Sequence, residues 1–257
     1  MRRPPGRRFR GKDGGMKLLS DRGSGTPLVL VCALMCDEEL FAGQADRLSR
    51  RRRVMIFQSE GEESLRDAAV ELLSMVGALG LRSVDLGGLS MGGAVALEAA
   101  SRCPSAVRRL LLLGTRHTAD DEDGRAARLE TIRQLEEGRM EQVLESFLPS
   151  LLSEQSRRDH GERVRHMFRR LGPALYARQL RTLLTRRDQS GTLAAFQGPL
   201  LCLTGAQDSL TPPDLQRRMA ALAPRGQWGV IPGNVGHLST LEAPQAALRE
   251  IETFLAD

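Results

Sequence analysis

Short apolar runs alternate with longer stretches of helical periodicity along much of this chain, and that alternation is its tightest restriction on fold. "PLVLVCAL" begins at Pro27, "RRVMIFQ" at Arg52, "LRSVDLGG" at Leu81 and "VRRLLLLGT" at Val107. Runs of this kind suit strands buried on both faces. Between them lie "SLRDAAVELLSMVGALG", with Ser64 placed as an N-cap and apolar residues three and four apart, and "MGGAVALEAASRC". Strands alternating with helices predict a parallel sheet covered on both faces. Right-handed crossovers then bring the C-terminal strand ends to one edge of the sheet.

The alternation breaks near Arg116. Up to about Thr192 the chain is Arg-rich and helix-like, as in "RAARLETIRQLEEG", "MEQVLESFLPSLL" and "GPALYARQLRTLL". It then resumes with "PLLCLTG" as a strand and "TPPDLQRRMAALAP" as a helix, with Thr211 at its N-cap and Pro212 at its first position. "QWGVIPG" is a last strand and "APQAALREIETFLAD" a closing helix. A length of 257 residues suits one large domain with an insertion. The expected division is a core domain over 16–115 and 193–257 with a helical cap over 116–192. Residues 1–15, "MRRPPGRRFRGKDGG", read as a disordered basic tail, or as sequence upstream of a start at Met16. Their twin arginines are not followed by an apolar segment of the export type, which points to a cytoplasmic protein.

Composition narrows the partners. Hydrophobic residues make up 41%, enough for a real core, and no apolar run is long enough to span a membrane. The net charge of +5 is carried by arginine, since Lys12 and Lys17 are the only lysines. The arginines are scattered among acidic residues and aromatics are only 4%, which argues against nucleic acid as a partner. Cys32, Cys36, Cys103 and Cys202 form neither a CxxC pair nor a His/Cys cluster. They read as free thiols in a reducing compartment, with no metal and no cofactor implied.

The chemistry centres on Ser90. Gly88-Leu89-Ser90-Met91-Gly92 is a G-x-S-x-G sequence between a strand and a helix. A serine on so sharp a turn takes a positive φ and projects its hydroxyl off the sheet. Strand and helix pass so closely there that Gly88 and Gly92 are needed to avoid a collision. The first turn of the helix leaves N–H groups unpaired and aims its positive end at the same place. A base and an acid follow at other strand ends. Asp208 lies just past "LLCLTG", and His237 lies in the loop after the final strand. All three candidates therefore fall on one edge of the sheet. Asp208 also reads as a turn former and His237 as a structural histidine. Asp188 is a rival acid at the end of the helical block, and His117, just past a strand, is placed in the pocket without a catalytic role.

From about Met16 to Asp257 the chain resembles α/β-hydrolase-fold proteins, in the style of capped bacterial enol-lactonase-like and small esterase-like members. "GGLSMGG", "TGAQDSLTPP" and "GHLSTLEAP" carry the likeness, with Ser, Asp and His in that superfamily's chain order. The resemblance implies a mostly parallel sheet flanked by helices. It implies that Ser90 attacks an acyl carbon, that His237 takes its proton and that Asp208 orients the imidazole. It also implies an oxyanion hole from the backbone N–H groups of Leu34 and Met91. Many members carry His-Gly or Pro-Gly where this chain has Cys32-Ala33, and Cys32 itself reads as an inert thiol in an apolar flank.

The expected activity is hydrolysis of a small or medium acyl ester, thioester or lactone. Acyl transfer, carbon–carbon bond hydrolysis, cofactor-free perhydrolysis and a non-catalytic receptor are the alternatives that the same fold hosts. The cap offers Phe147, Leu148, Met167, Phe168, Leu171 and Tyr176 at helical spacings. Most of them are expected in its core, with Phe147 and Tyr176 placed at the pocket. Its arginines read as a solvated face in preference to a carboxylate site.

Overall fold

A computed structural model of the chain describes residues 15–256. The tail expected over 1–15 thus lies, but for Gly15, outside the described residues. Seven strands form one sheet: β1 (Lys17–Arg22), β2 (Pro27–Val31), β3 (Arg53–Gln58), β4 (Val84–Leu89), β5 (Val107–Leu113), β6 (Leu200–Gly205) and β7 (Gly226–Ile231). Their order is β1-β3-β2-β4-β5-β6-β7. β1 runs antiparallel to β3, and every other neighbouring pair is parallel. The central strands β4 and β6 are buried along their whole length.

Helices cover both faces. α1 (Ala42–Leu48) and α11 (Pro244–Ala256) pack together on one side. On the other, α2 (Leu65–Ala78), α3 (Met91–Arg102), α8 (Ser190–Ala195) and α9 (Pro213–Leu222) follow one another in contact. Ser64 caps α2 as expected, accepting from Asp67 N at 3.1 Å. The helices α4 (Glu122–Glu136), α5 (Met140–Leu151), α6 (Glu154–Leu171) and α7 (Pro173–Leu183) fill the interval between β5 and α8. A short α10 (Ser239–Glu242) precedes α11. The boundary expected at 192 falls inside α8, which packs on α3 and α9 beside the sheet.

Two core elements left no apolar run in the sequence. β1, KLLSDR, is an edge strand in which Leu18 is the one buried residue. α1 is short and buries Gln44, Ala45 and Leu48. A third difference concerns α9, whose N-cap is Pro212 instead of Thr211, so the helix begins at Pro213. The Thr211 hydroxyl turns away from the helix to donate to Asp208 at 2.6 Å. Among the described residues no helix is long and apolar enough to cross a membrane.

Candidate active site

Ser90 stands between the last residue of β4 and the first of α3, at φ 54° and ψ −111°. Only one other described non-glycine residue, Met35, has a positive φ. Strand and helix close on each other as the motif requires. A Cβ on Gly88 would lie 2.3 Å from the Gly92 carbonyl carbon, and one on Gly92 would lie 2.0 Å from Val31 O. The turn is clamped to β5: Ser90 N donates to Leu113 O at 2.8 Å, and Thr115 Oγ1 donates to Ser90 O at 2.7 Å. Ser90 is the N-cap of α3, yet its side chain makes no capping hydrogen bond. The unusual φ points the hydroxyl off the helix and into a cavity.

Asp208 follows β6 and His237 follows β7, so parallel strands deliver both to the edge that carries Ser90. His237 Nδ1 lies 2.9 Å from Asp208 Oδ2, and both side chains are buried. The carboxylate is fully engaged. Oδ2 also accepts from Thr204 Oγ1 and Thr211 Oγ1, each at 2.6 Å, while Oδ1 accepts from Leu210 N and Thr211 N, each at 2.9 Å. Burial pushes the Asp208 carboxyl up. The adjacent His237 and the hydrogen bonds from His237, Thr204 and Thr211 outweigh that and hold it below the ordinary carboxylate range. Asp208 is therefore turn former and imidazole partner at once. Gly114, at the end of β5 with φ 47°, lies under the pair; a Cβ there would come within 3.3 Å of Asp208 Oδ2 and 3.4 Å of His237 Nδ1. Ser90 and His237 line the same cavity, and no hydrogen bond joins them among the described residues. Such bonds are often long before substrate binds.

Leu34 and Met91 line that cavity beside Ser90. Neither of their N–H groups meets an acceptor among the described residues, which leaves both free to donate. The loop that carries Leu34 is held from a distance. Met35, at φ 55°, donates its N–H to Gln179 Oε1 at 2.9 Å, and Gln179 Nε2 donates to Ser59 O at 2.7 Å. Gln179 comes from α7 and is buried. Gln58 Nε2 adds a bond to Cys36 O at 2.9 Å. Cys32 is buried, its Sγ donates to Asp37 O at 3.2 Å, and burial raises its thiol pKa well above normal, as an inert thiol requires.

The cavity encloses about 340 Å³, the small end of the usual range for ligand sites. The inserted helices form its outer wall through Arg128 of α4, Phe147 of α5, and Tyr176 and Leu183 of α7. Phe147 and Tyr176 line the cavity, and Leu148, Met167 and Phe168 are core. Phe168 meets Tyr176 edge-on with centroids 5.6 Å apart. His117 does not line the cavity. Its backbone carbonyl accepts from Gln189 N at 2.8 Å, which draws the chain aside, and Thr115 and Arg116 face inward in its place. Asp188 is exposed, accepts from Ser190 N at 2.9 Å and is not among the residues that line the cavity.

The inserted helices also grip the His237 loop. Leu151 O, at the end of α5, accepts from His237 N at 3.2 Å and Leu238 N at 3.1 Å. Glu242 Oε2 accepts from Ser153 N at 3.1 Å and Gly236 N at 2.9 Å. Sequence patterns passed over Gly114, Gln179, Thr204 and Glu242. Thr204 left one legible trace, as a polar residue in a wholly buried strand.

Sheet order, elbow and strand-end residues define the α/β-hydrolase fold. A model of the alpha/beta hydrolase family matches residues 22–251, and the chain belongs to that family. Among similar solved structures is a thermophilic esterase from Thermogutta terrifontis, determined with malate bound, at 27% identity and a TM-score of 0.89, with 98% of each chain covered. The enol-lactonase from Burkholderia xenovorans LB400 is 18% identical over 94% of this chain and 97% of its own, with a TM-score of 0.84. A hydrolase from Pseudomonas aeruginosa PA01 is 22% identical over 98% of both chains, with a TM-score of 0.85. The last two share the fold. No curated protein matches by sequence. Family and neighbours support a hydrolase.

Proposed function

We propose that the chain is a serine hydrolase that cleaves a small or medium acyl ester, thioester or lactone, with Ser90 as nucleophile, His237 as general base and Asp208 as its partner. The observation that carries this reading is the saturated Asp208–His237 pair opening on the cavity into which Ser90 projects. Asp208 bonds Nδ1, which leaves Nε2 as the nitrogen that takes the Ser90 proton when Oγ attacks the acyl carbon. The free N–H groups of Met91 and Leu34 receive the oxyanion, helped by the positive end of α3. The imidazolium then protonates the leaving group, and water releases the acyl-enzyme by the reverse roles. The helices α4 to α7 act as a cap that sets the size of the acyl group. The likeness to the Thermogutta terrifontis esterase favours ester substrates.

A fluorophosphonate probe and p-nitrophenyl esters of graded chain length test the proposal. The wild-type protein is expected to be labelled and to turn over short esters. Ser90→Ala abolishes labelling, and Ser90→Ala and His237→Ala each lower kcat on the order of a millionfold. Undiminished hydrolysis by Ser90→Ala would sink the assignment.

A further inference from the structure

The arginines of the inserted segment, the helices α4 to α7 with the chain that flanks them, fall into two groups. Most lie on the outside in ion pairs, such as Arg165 with Glu145, Arg169 with Glu141 and Arg133 with Glu130. Exposed pairs of this sort contribute little stability. Arg116, Arg128 and Arg186 instead line the cavity that holds Ser90 and His237.

Their charge is not balanced. Asp120 is the one carboxylate among the residues that line this cavity. It accepts from Arg128 Nε at 2.7 Å and Nη2 at 3.3 Å, and it also pairs with Arg186. Arg116 has no carboxylate partner among the described residues; its Nη2 donates to Leu210 O at 2.9 Å. Two guanidinium groups thus share one carboxylate, and the third has none. Arg186 is the most enclosed, with its side chain 7% exposed and its Nε without a partner. A buried cation short of acceptors is costly to the folded chain. Burial draws the Arg186 pKa down to about 10, and Arg128 and Arg116 oppose the pull of Asp120. A second anion inside the cavity would relieve both the charge excess and the missing acceptor.

We infer that Arg116, Arg128 and Arg186 form an anion subsite, and that the substrate is an ester, thioester or lactone carrying a carboxylate remote from the reacting acyl carbon. The inference rests on the serine-hydrolase reading above. Asp120 tethers two of the guanidinium groups and leaves donors over for a ligand. A guanidinium fork matches the two oxygens of a carboxylate. At about 340 Å³ the cavity suits a short-chain monoester of a dicarboxylic acid or a lactone of that size.

The test compares mono-p-nitrophenyl glutarate with p-nitrophenyl pentanoate, an uncharged ester of matched chain length. The readout is the ratio of their kcat/KM values, so that a general loss of folded protein cancels. The wild-type ratio is expected to favour the anionic ester at least about tenfold, one well-placed charged contact. Arg186→Gln and Arg116→Gln each lower it several-fold, and the double variant brings it near one. Arg116→Gln removes a single carbonyl contact, so it reads the subsite even if Arg186→Gln folds poorly. A wild-type ratio near one, or a preference untouched by both substitutions, overturns the subsite while Ser90-dependent turnover leaves the hydrolase reading standing. If neither ester is turned over, fluorophosphonate labelling decides the hydrolase reading, and calorimetric titration with glutarate decides the subsite. Binding lost in both variants supports it, and absence of binding to the wild-type protein overturns it.

Discussion

Ser64, Ser153 and Ser90 occupy the same position at the starts of three helices, and two of them behave alike. The Ser64 and Ser153 hydroxyls accept from the backbone N–H three residues on, at 3.1 and 3.2 Å. Ser90 is turned by its positive φ and gives up that bond. A cap of this kind is worth about 1 kcal/mol, and a non-glycine residue at positive φ costs about 1–2 kcal/mol more. The hydrogen bonds from Ser90 N and to Ser90 O hold the turn against that cost. Met35 shows the same economy of support, since its positive φ is secured by Gln179, 144 residues away in the chain. In the proposed mechanism that contact sets the path of the Leu34 N–H. Gln179→Ala is therefore expected to lower kcat about ten- to a hundredfold, toward the loss of one oxyanion donor, with KM little changed. Gln179→Glu, which keeps the acceptor for Met35 N, recovers part of the loss. Steady-state kinetics check both, and a kcat within about twofold of wild type in Gln179→Ala would remove Gln179 from this role.

At the level of elements, the meeting of β2, β4 and α3 is the tightest junction near the site. Gly92 abuts the carbonyls at the end of β2, and Gly88 abuts the Gly92 backbone. Backbone cannot swing aside as a flexible side chain can, so a methyl group there forces helix and strand apart. Gly92→Ala is expected to destabilise the fold by about 3 kcal/mol, at the upper end of overpacking costs, measured as a lower urea midpoint with unchanged slope. Any Gly92→Ala protein that does fold labels slowly with fluorophosphonate, because the elbow shifts with the helix. A midpoint equal to wild type would mean that the junction is looser than its contacts imply. The strands and the helix of this junction were legible in the chain because each is a continuous run of residues that is almost wholly buried. β1 was not, because an edge strand needs only one buried side chain, Leu18, and leaves no apolar run.

Across the whole molecule, the inserted helices and the sheet edge form one hydrogen-bonded unit. α5 holds the His237 loop through Leu151 O, and α7 holds the Leu34 loop through Gln179. The Asp208 carboxylate couples that edge to pH. Its folded pKa is held below the free value of about 3.9. As pH falls, the unfolded chain therefore takes up the proton first. The stability that Asp208 contributes is fully present above about pH 4 and drains away as pH drops toward the folded pKa. Urea midpoints measured between about pH 5 and 2 are expected to fall less steeply for Asp208→Asn than for wild type. Equal slopes would mean that the carboxylate is not held in its charged form by the fold.

The alternation of apolar runs, the G-x-S-x-G turn and the strand-end positions of Asp208 and His237 were readable because each depends on residues near one another in sequence. A parallel sheet then needs no further information to bring its C-terminal strand ends to one edge. The reading of His117 as a pocket residue and of the insert's arginines as a solvated face depended on contacts that chain order does not encode, and that of Thr211 as a cap depended on the burial of a neighbouring carboxylate. Thr211 turns to Asp208, His117 gives its place to Arg116, and Arg186 meets Asp120 across 66 residues. The Arg186–Asp120 pairing arises when the inserted helices fold back over the sheet edge, whereas Thr211 turns to an Asp208 three residues away because the buried carboxylate takes every donor within reach.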